Sequence, residues 1–267
     1  MTKIKHSPLK EIEGLRWEEI ALNWEVTPRV LLYRSKIESI ELDDVVLAYA
    51  QEVQTFKTQK RKDEHLSGRK LLYDALNHWG LDSPDEVEVR RDEYRAPSLA
   101  WIHGIWKNHS LPGFSICHSN EYVWVAIVES GWSVGVDVEK EDRVIAENAL
   151  DLMAKGDELK LLQSNPNQTI ISWTSKESIQ KSMGLGMHFN PRNIVIPSGE
   201  GENIIAIENS IFQLQNFCFD GQRIAISITN RSRKVRDAED DLLDATLSAM
   251  QESDDWGVGC KTTRLNG

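Results

Sequence analysis

The clearest strand pattern in the chain lies at residues 134–139, which read Val-Gly-Val-Asp-Val-Glu. Side chains two positions apart in a strand point to the same face, so Asp137 and Glu139 are predicted to lie on one side. The apolar run at 122–128 predicts another strand just before it, and residues 131–132 between them predict a turn. We therefore expect an antiparallel hairpin.

Two helices are predicted from apolar residues that recur at helical spacing. The first follows the charged stretch that begins at residue 57 and runs to Trp79, with Gly80 as its C-terminal stop. The second covers residues 169–184 and places Glu177 and Lys181, four positions apart, on one helix face. One acid–lysine pair is thus held on a regular element.

The remaining segments are shorter and mixed in character. Apolar positions between 145 and 162 predict one or two helices, interrupted near Gly156. Tyr94 to Ala100, which includes a proline, predicts a loop. Short strands are predicted at 87–90, 194–196, 204–207, 211–219 and 224–228. The order strand, helix, strands occurs twice, which hints at a duplicated α+β domain.

Composition narrows the class of protein. The chain has 267 residues, 40% of them hydrophobic, and a net charge of −11, which argues against nucleic-acid and anionic-membrane binding. Its three cysteines are widely spaced without a CxxC pair, which is typical of reduced thiols rather than of a zinc site. No signal-peptide pattern stands at the start, and no apolar run is long enough to span a bilayer. We expect a soluble cytoplasmic protein.

A basic segment stands out in this acidic chain. Between residues 57 and 70 there are six basic residues, namely Lys57, Lys60, Arg61, Lys62, Arg69 and Lys70. One interpretation is a solvated helix face, which is the usual role of such a run. The other is a phosphate-binding patch.

The acids and the lysine together suggest a metal site. Taken singly, two acids on a strand are usually solvated, and Glu177 with Lys181 could be a surface ion pair. Their occurrence together changes this, because like charges at the end of an apolar strand are penalised unless a cation compensates them. Mg²⁺ suits carboxylates together with phosphate oxygens, and Lys181 could stabilise a departing phosphate.

Three motifs then resemble one known family, the 4′-phosphopantetheinyl transferases. That family carries a (V/I)G(V/I)D(V/I)E strand, a W-x-x-K-E-x-x-x-K helix and, upstream, a strand similar to S-x-S-H-S. Here these appear as residues 134–139, 173–181 and 115–119. The order and spacing resemble the larger, monomeric type that modifies synthase carrier domains, over roughly residues 55–230.

The resemblance implies a Mg²⁺-dependent enzyme that moves phosphopantetheine from coenzyme A to a serine of an apo acyl- or peptidyl-carrier protein. Asp137, Glu139 and Glu177 would hold Mg²⁺ on the pyrophosphate of coenzyme A. Lys181 would stabilise the charge on the leaving 3′,5′-ADP, and the serine would lose its proton to Glu177 or to a metal-bound water. Nucleotide phosphates would be bound by His118, Lys181, Arg61, Lys62 and Arg69.

The resemblance also implies two similar α+β halves related by a pseudo-twofold axis. Residues 1–112 would form the half with the basic patch and 113–230 the half with the acidic motifs, while 231–267 would be a charged, flexible tail. Two positions depart from the family. Residues 95–97 read Arg-Ala-Pro where Gly-Lys-Pro is frequent, so the lysine is missing, and Arg95 either replaces it or does not. Cys117 replaces the usual serine before the histidine.

Two other functions stay open at this point. A metal-dependent phosphodiester hydrolase could use the same acids, although the chain lacks the acid-x-lysine spacing of common nucleases and its net charge opposes nucleic-acid binding. A non-catalytic module that binds carrier proteins is the second alternative. Every motif acid and Lys181 are present, which favours the enzyme.

Overall fold

The computed structural model describes residues 17–22, 28–102 and 110–230. The strands in these ranges are β1 (Glu18–Ile20), β2 (Val30–Lys36), β3 (Val87–Arg91), β4 (Pro97–Trp101), β5 (Gly113–Ser119), β6 (Tyr122–Val128), β7 (Trp132–Lys140), β8 (Gly201–Ile207), β9 (Ser210–Phe219) and β10 (Gln222–Asn230). The α-helices are α1 (Ala50–Val53), α2 (Gln59–Trp79), α3 (Glu147–Met153), α4 (Gly156–Ser164) and α5 (Pro166–Ser182).

The first sheet is antiparallel and has the order β1-β2-β6-β5. Its central strand β6 is apolar on both faces because both faces are covered. Val123, Val125 and Ile127 pack with residues of α2, whereas Trp124 and Ala126 pack with residues of the second sheet. This double burial explains the continuous apolar run that the sequence shows at 122–128.

The second sheet has the order β7-β10-β9-β8 and is also antiparallel. On β7 the residues Val134, Val136 and Val138 join the core between the two sheets. The residues between them face α5, which packs closely against Gly135. The period of two in the sequence therefore separates a core face from a face that carries Asp137.

The predicted hairpin of residues 122–128 and 134–139 is wrong. Both edges of β6 are already taken, by β2 and β5, and β7 pairs with β10 instead. The turn between β6 and β7 thus carries the chain from one sheet to the other. Two strands separated by so short a segment can form a hairpin or belong to two different sheets. Here β2 and β5 already pair with β6, so β7 joins the other sheet.

Two shorter predictions are also wrong. Residues 97–101 form β4, which pairs with β3, where the sequence predicted a loop up to Ala100. Pro97 is accommodated because it is the first residue of the strand, where proline is tolerated. The predicted strand at 194–196 is not formed; Ile194 and Ile196 are buried in the core against α5 without a strand partner among the described residues.

The predicted helices are confirmed. Helix α2 begins after Thr58, whose hydroxyl accepts a hydrogen bond from the Arg61 amide, and it ends at Gly80 with φ of 98°. Helix α5 ends at Ser182, close to the predicted bound. The predicted interruption near Gly156 is the break between α3 and α4.

The α+β class is confirmed by two antiparallel sheets, each packed against one long helix. The pseudo-twofold relation and the division into domains stay predictions. The first sheet joins strands from both sides of residue 112, so the predicted boundary does not coincide with the edge of a sheet. Residues 1–16, 23–27 and 103–109 and the predicted tail at 231–267 lie outside the described residues. Within the described ranges no helix is both long and apolar enough to cross a membrane.

Candidate active site

A cavity of about 1080 Å³ opens between the two sheets. Its walls come from α2, the β3–β4 hairpin, β5, β7 and the C-terminal part of α5. The acids Asp137, Glu139 and Glu177 line it together with Lys181 and His118. The residues of all three sequence motifs therefore share one cavity.

Asp137 and Lys181 form the central ion pair of this cavity. Asp137 Oδ1 lies 2.8 Å from Lys181 Nζ, and the same ammonium donates to the carbonyl oxygen of Val136 at 3.0 Å. The Asp137 side chain is only 7% exposed, whereas that of Lys181 is 31% exposed. Asp137 Oδ2 is buried and has no hydrogen-bond partner among the described residues. One carboxylate oxygen is thus paired with the lysine, and the other is buried without a hydrogen bond.

Glu177 lies next to this pair on α5. Burial, followed by the negative charge of Asp137, raises the pKa of Glu177 to about 7, although Lys181 acts in the opposite direction. Burial alone would lower the pKa of Lys181, but the carboxylate of Asp137, followed by that of Glu177, raises it. The lysine therefore stays charged, while Glu177 can gain or lose a proton near neutral pH.

Glu139 is held by a residue that the sequence did not indicate. Its carboxylate accepts a hydrogen bond from the Arg143 guanidinium, which lies 5.6 Å above the ring centroid of Trp173. Arg143 follows β7 and belongs to none of the three motifs. The signal that could have found it is its position four residues after Glu139, where a basic residue can pair with the acid.

The polar face of β7 meets α5 at very short range. Gly135 packs against the backbone of Ser178, whose hydroxyl donates to the Gly135 carbonyl oxygen at 3.0 Å. On the other side of β7 the Ser115 hydroxyl of β5 accepts a hydrogen bond from the Val136 amide at 3.1 Å. These contacts bring the strand acids to the helix acid and lysine.

Cys117 lies on β5 beside these charges. The thiol is 5% exposed, and burial raises its pKa strongly, with Asp137 and Glu177 adding to the effect and Lys181 opposing it. A thiol in this state is neutral and packs as a small apolar group. The substitution of the family's serine is thus accommodated without a new charge in the site.

His118 faces a basic residue and an acid of α2. Its Nε2 accepts a hydrogen bond from Arg61 Nη1 at 2.6 Å, and Glu64 Oε2 lies 3.5 Å from the same nitrogen. Burial lowers the pKa of His118, and Arg61 and Lys181 lower it further, whereas Glu64 raises it. The imidazole is consequently neutral in this arrangement, with Arg61 as the donor.

Arg69 is buried more deeply than a surface patch would allow. It is 3% exposed and pairs with Glu52, which also binds Arg91 of β3. Arg61 and Arg69 both line the cavity, but Lys62 does not. The basic segment of α2 therefore divides between the cavity and the protein surface.

The donor set fits a hard cation, although no three His, Cys, Asp or Glu side chains of the described residues already lie close enough to bind one. Lys181 occupies one oxygen of Asp137, and Arg143 occupies Glu139. The buried, unpaired Asp137 Oδ2 and the protonatable Glu177 are the features a bound Mg²⁺ would satisfy.

Part of the chain is similar to known proteins. Residues 133–229 match the model of the 4′-phosphopantetheinyl transferase superfamily, which covers β7 to β10 and the motif helix. A relative is the 4′-phosphopantetheinyl transferase gsp of Aneurinibacillus migulanus, with 28% identity over 147 residues. The match covers 53% of this chain and 55% of that protein, so the chain spans about half the length of this relative.

Proposed function

We propose that this chain is a 4′-phosphopantetheinyl transferase and that it transfers the 4′-phosphopantetheine group of coenzyme A to a serine of an apo acyl- or peptidyl-carrier protein. The product would be the holo carrier and 3′,5′-ADP. One observation supports this most directly. The cavity combines buried carboxylates and Lys181 with arginines and a histidine, a distribution that suits an anionic substrate cleaved at a phosphate.

Asp137, Glu139 and Glu177 are the proposed holders of Mg²⁺. When bound there, Mg²⁺ would supply positive charge to the phosphate oxygens of coenzyme A. The unpaired Asp137 Oδ2 supports this assignment, because a buried oxygen without a partner is costly unless a ligand satisfies it. Glu177 supports it as well, since burial and then the charge of Asp137 raise its pKa, and a bound cation would favour the charged carboxylate.

The proposed reaction is a displacement at the β-phosphorus of coenzyme A. The serine oxygen forms a bond to this phosphorus, and the bond from phosphorus to the oxygen of 3′,5′-ADP breaks. The serine proton passes to the carboxylate of Glu177, the helix acid that lies beside Asp137 and Lys181 in the cavity. Lys181 keeps its charge beside Asp137 and stabilises the negative charge that develops on the leaving group.

His118 and Arg61 are the proposed phosphate ligands in the same cavity. They come from β5 and α2, and their 2.6 Å contact brings an imidazole and a guanidinium of two elements together. Arg69 also lines the cavity, but it is paired with Glu52. We infer that it stabilises the cavity wall in addition to binding the ligand.

The test is a mass-spectrometric assay of several apo carrier proteins with coenzyme A and Mg²⁺. We expect at least one carrier to gain the mass of one phosphopantetheine, and we expect the gain to disappear with excess EDTA or in the Asp137→Asn variant. Glu202→Gln, at an exposed acid on β8, is the matched control and should keep full activity. If none of the carriers is modified, the proposal is overturned. Release of free phosphopantetheine without a carrier would favour a hydrolase.

A further inference from the structure

The arginines that line the cavity differ in how they are paired. Among the described residues there are five, and four of them contact a carboxylate of the protein within 3.4 Å. These pairs are Arg61 with Glu64, Arg69 and Arg91 with Glu52, and Arg90 with Glu88. The fifth, Arg95, has a guanidinium without an ion pair or hydrogen bond to any residue in the described ranges. Its charge is therefore fully available to a ligand.

The backbone of Arg95 is unusual for a long side chain. Its φ is 66°, in the left-handed region that favours glycine and that only a few per cent of other residues adopt. Strained backbone of this kind persists where the surroundings impose it, and it clusters at functional sites. A glycine would fit this turn with less strain but would carry no charge.

The surroundings of Arg95 impose its conformation through four hydrogen bonds. Asp92 Oδ1 accepts from the amides of Tyr94 and Ala96 at 2.9 and 2.8 Å. The Arg95 amide donates to the Asp92 carbonyl oxygen at 2.9 Å, and Arg91 Nη1 donates to the Arg95 carbonyl oxygen at 3.0 Å. The turn between β3 and β4 is thus held in one shape, from which Arg95 lines the cavity.

The turn also borders the second half of the chain. The Tyr94 ring contacts the His188 ring edge-on, with centroids 5.3 Å apart, and Ala96 lies against Gly184. Gly184 and Met183, just after the helix that carries Glu177 and Lys181, line the cavity with Arg95. Arg95 therefore lines the cavity beside the residues that follow α5, whereas Arg61 and Arg69 of α2 are already paired with acids.

We propose that Arg95 binds a phosphate of the nucleotide part of coenzyme A and is a specificity-determining residue for this co-substrate, an inference that rests on the proposed function. A guanidinium presents a planar fork of donors that matches two phosphate oxygens. No protein carboxylate has to be displaced first, unlike at the other four arginines. The turn holds the backbone of this residue before the ligand arrives, which reduces the ordering that binding requires.

The test is calorimetric titration of coenzyme A into the wild type, Arg95→Gly and Arg95→Lys, with kcat and KM measured on a responsive carrier. We expect Arg95→Gly to weaken coenzyme A binding by about tenfold or more, as for loss of a charge-assisted hydrogen bond. KM for coenzyme A should rise while kcat changes little, and Arg95→Lys should restore part of the affinity. The melting temperature of Arg95→Gly should be no lower than that of the wild type, which a purely structural role would not allow.

Glu208→Gly is the matched control for the backbone. Glu208 has φ of 51°, is exposed, and does not line the cavity, so its replacement relieves the same kind of conformation without touching the site. Coenzyme A should bind this variant like the wild type. Equal affinity of Arg95→Gly and the wild type would overturn the proposal for Arg95 and leave the transferase intact. A wild type that binds no coenzyme A would overturn the proposed function itself.

Dephospho-coenzyme A, which lacks the 3′-phosphate, identifies the phosphate that Arg95 contacts. If Arg95 binds the 3′-phosphate, the wild type and Arg95→Gly should bind this analogue equally. If it binds the pyrophosphate, the variant should lose the same factor with both ligands. Either result supports a phosphate contact. If Arg95→Gly binds both coenzyme A and dephospho-coenzyme A as tightly as the wild type does, the phosphate contact is contradicted.

Discussion

Gly135 lies so close beneath Ser178 that a β-carbon on the glycine would stand 1.9 Å from the Ser178 carbonyl oxygen. The same β-carbon would be 2.6 Å from the amide nitrogen of Ser182. Only a residue without a side chain allows β7 and α5 to approach this far. The approach brings Asp137 of the strand within 2.8 Å of Lys181 of the helix.

Gly135→Ala is therefore expected to destabilise the protein by about 3 kcal/mol or more, because the clash is with backbone rather than with a movable side chain. Chemical denaturation measures the loss. Gly68→Ala is the control, since its β-carbon would meet only side-chain methyl groups, the nearer at 3.2 Å, and alanine favours the helix. Equal stability of the two variants would contradict the close contact.

Lys181→Met should lower kcat for carrier modification by about 10²–10³-fold, the usual effect of removing a group that stabilises transition-state charge. KM for coenzyme A should change less. Lys140→Met, at the exposed end of β7, provides the comparison and should retain wild-type rates. A Lys181→Met enzyme with near-normal kcat would remove this lysine from the chemistry.

The pKa of Glu177 predicts a specific dependence of stability on pH. Its folded-state pKa of about 7 lies above the ordinary value of 4.5, so the folded protein binds more protons than the unfolded chain between these values. Stability without divalent cations should accordingly fall as pH rises from 4.5 to 7. Glu177→Gln should flatten this part of the curve, whereas the exposed Glu202→Gln should not. Unfolding in urea with EDTA, repeated between pH 5 and 8, measures it, and identical slopes in wild type and Glu177→Gln would refute the assignment.

Lys176 is expected to be structural rather than catalytic, although it stands inside the helix motif. It is fully buried, donates to the Met153 carbonyl oxygen at 2.6 Å and pairs with Glu158 at 2.9 Å, which fastens α5 to α3 and α4. Lys176→Met should cost about 3 kcal/mol because it leaves Glu158 without its partner. Lys160→Met, which removes an exposed ion pair on α4, should leave the denaturation midpoint unchanged. Similar losses in both variants would contradict this role.

Much of the candidate site was predictable from local pattern. The spacing of two placed Asp137 on the face of β7 opposite its valines, and the spacing of four aligned Glu177 with Lys181 on α5. Both hold because side-chain direction in a strand or helix depends on the backbone of that element alone. The basic segment was harder, since a charge run does not say which of its members point inward, and Lys62 lies outside the cavity while Arg61 lines it.

The sequence by itself determined the long helices, most of the strands and the residue types of the candidate site, because these follow from contacts within a few positions of the chain. It did not determine β4 or the irregular backbone at 194–196. Only the tertiary structure decided that β7 pairs with β10 rather than with β6, since that choice depends on which strands already fill the edges of β6. It also decided that Arg95 is the cavity arginine without a partner among the described residues, because the carboxylates that neutralise the other four come from α1, α2 and β3. Pairing between distant segments is a competition among all of them, and no local pattern records its outcome.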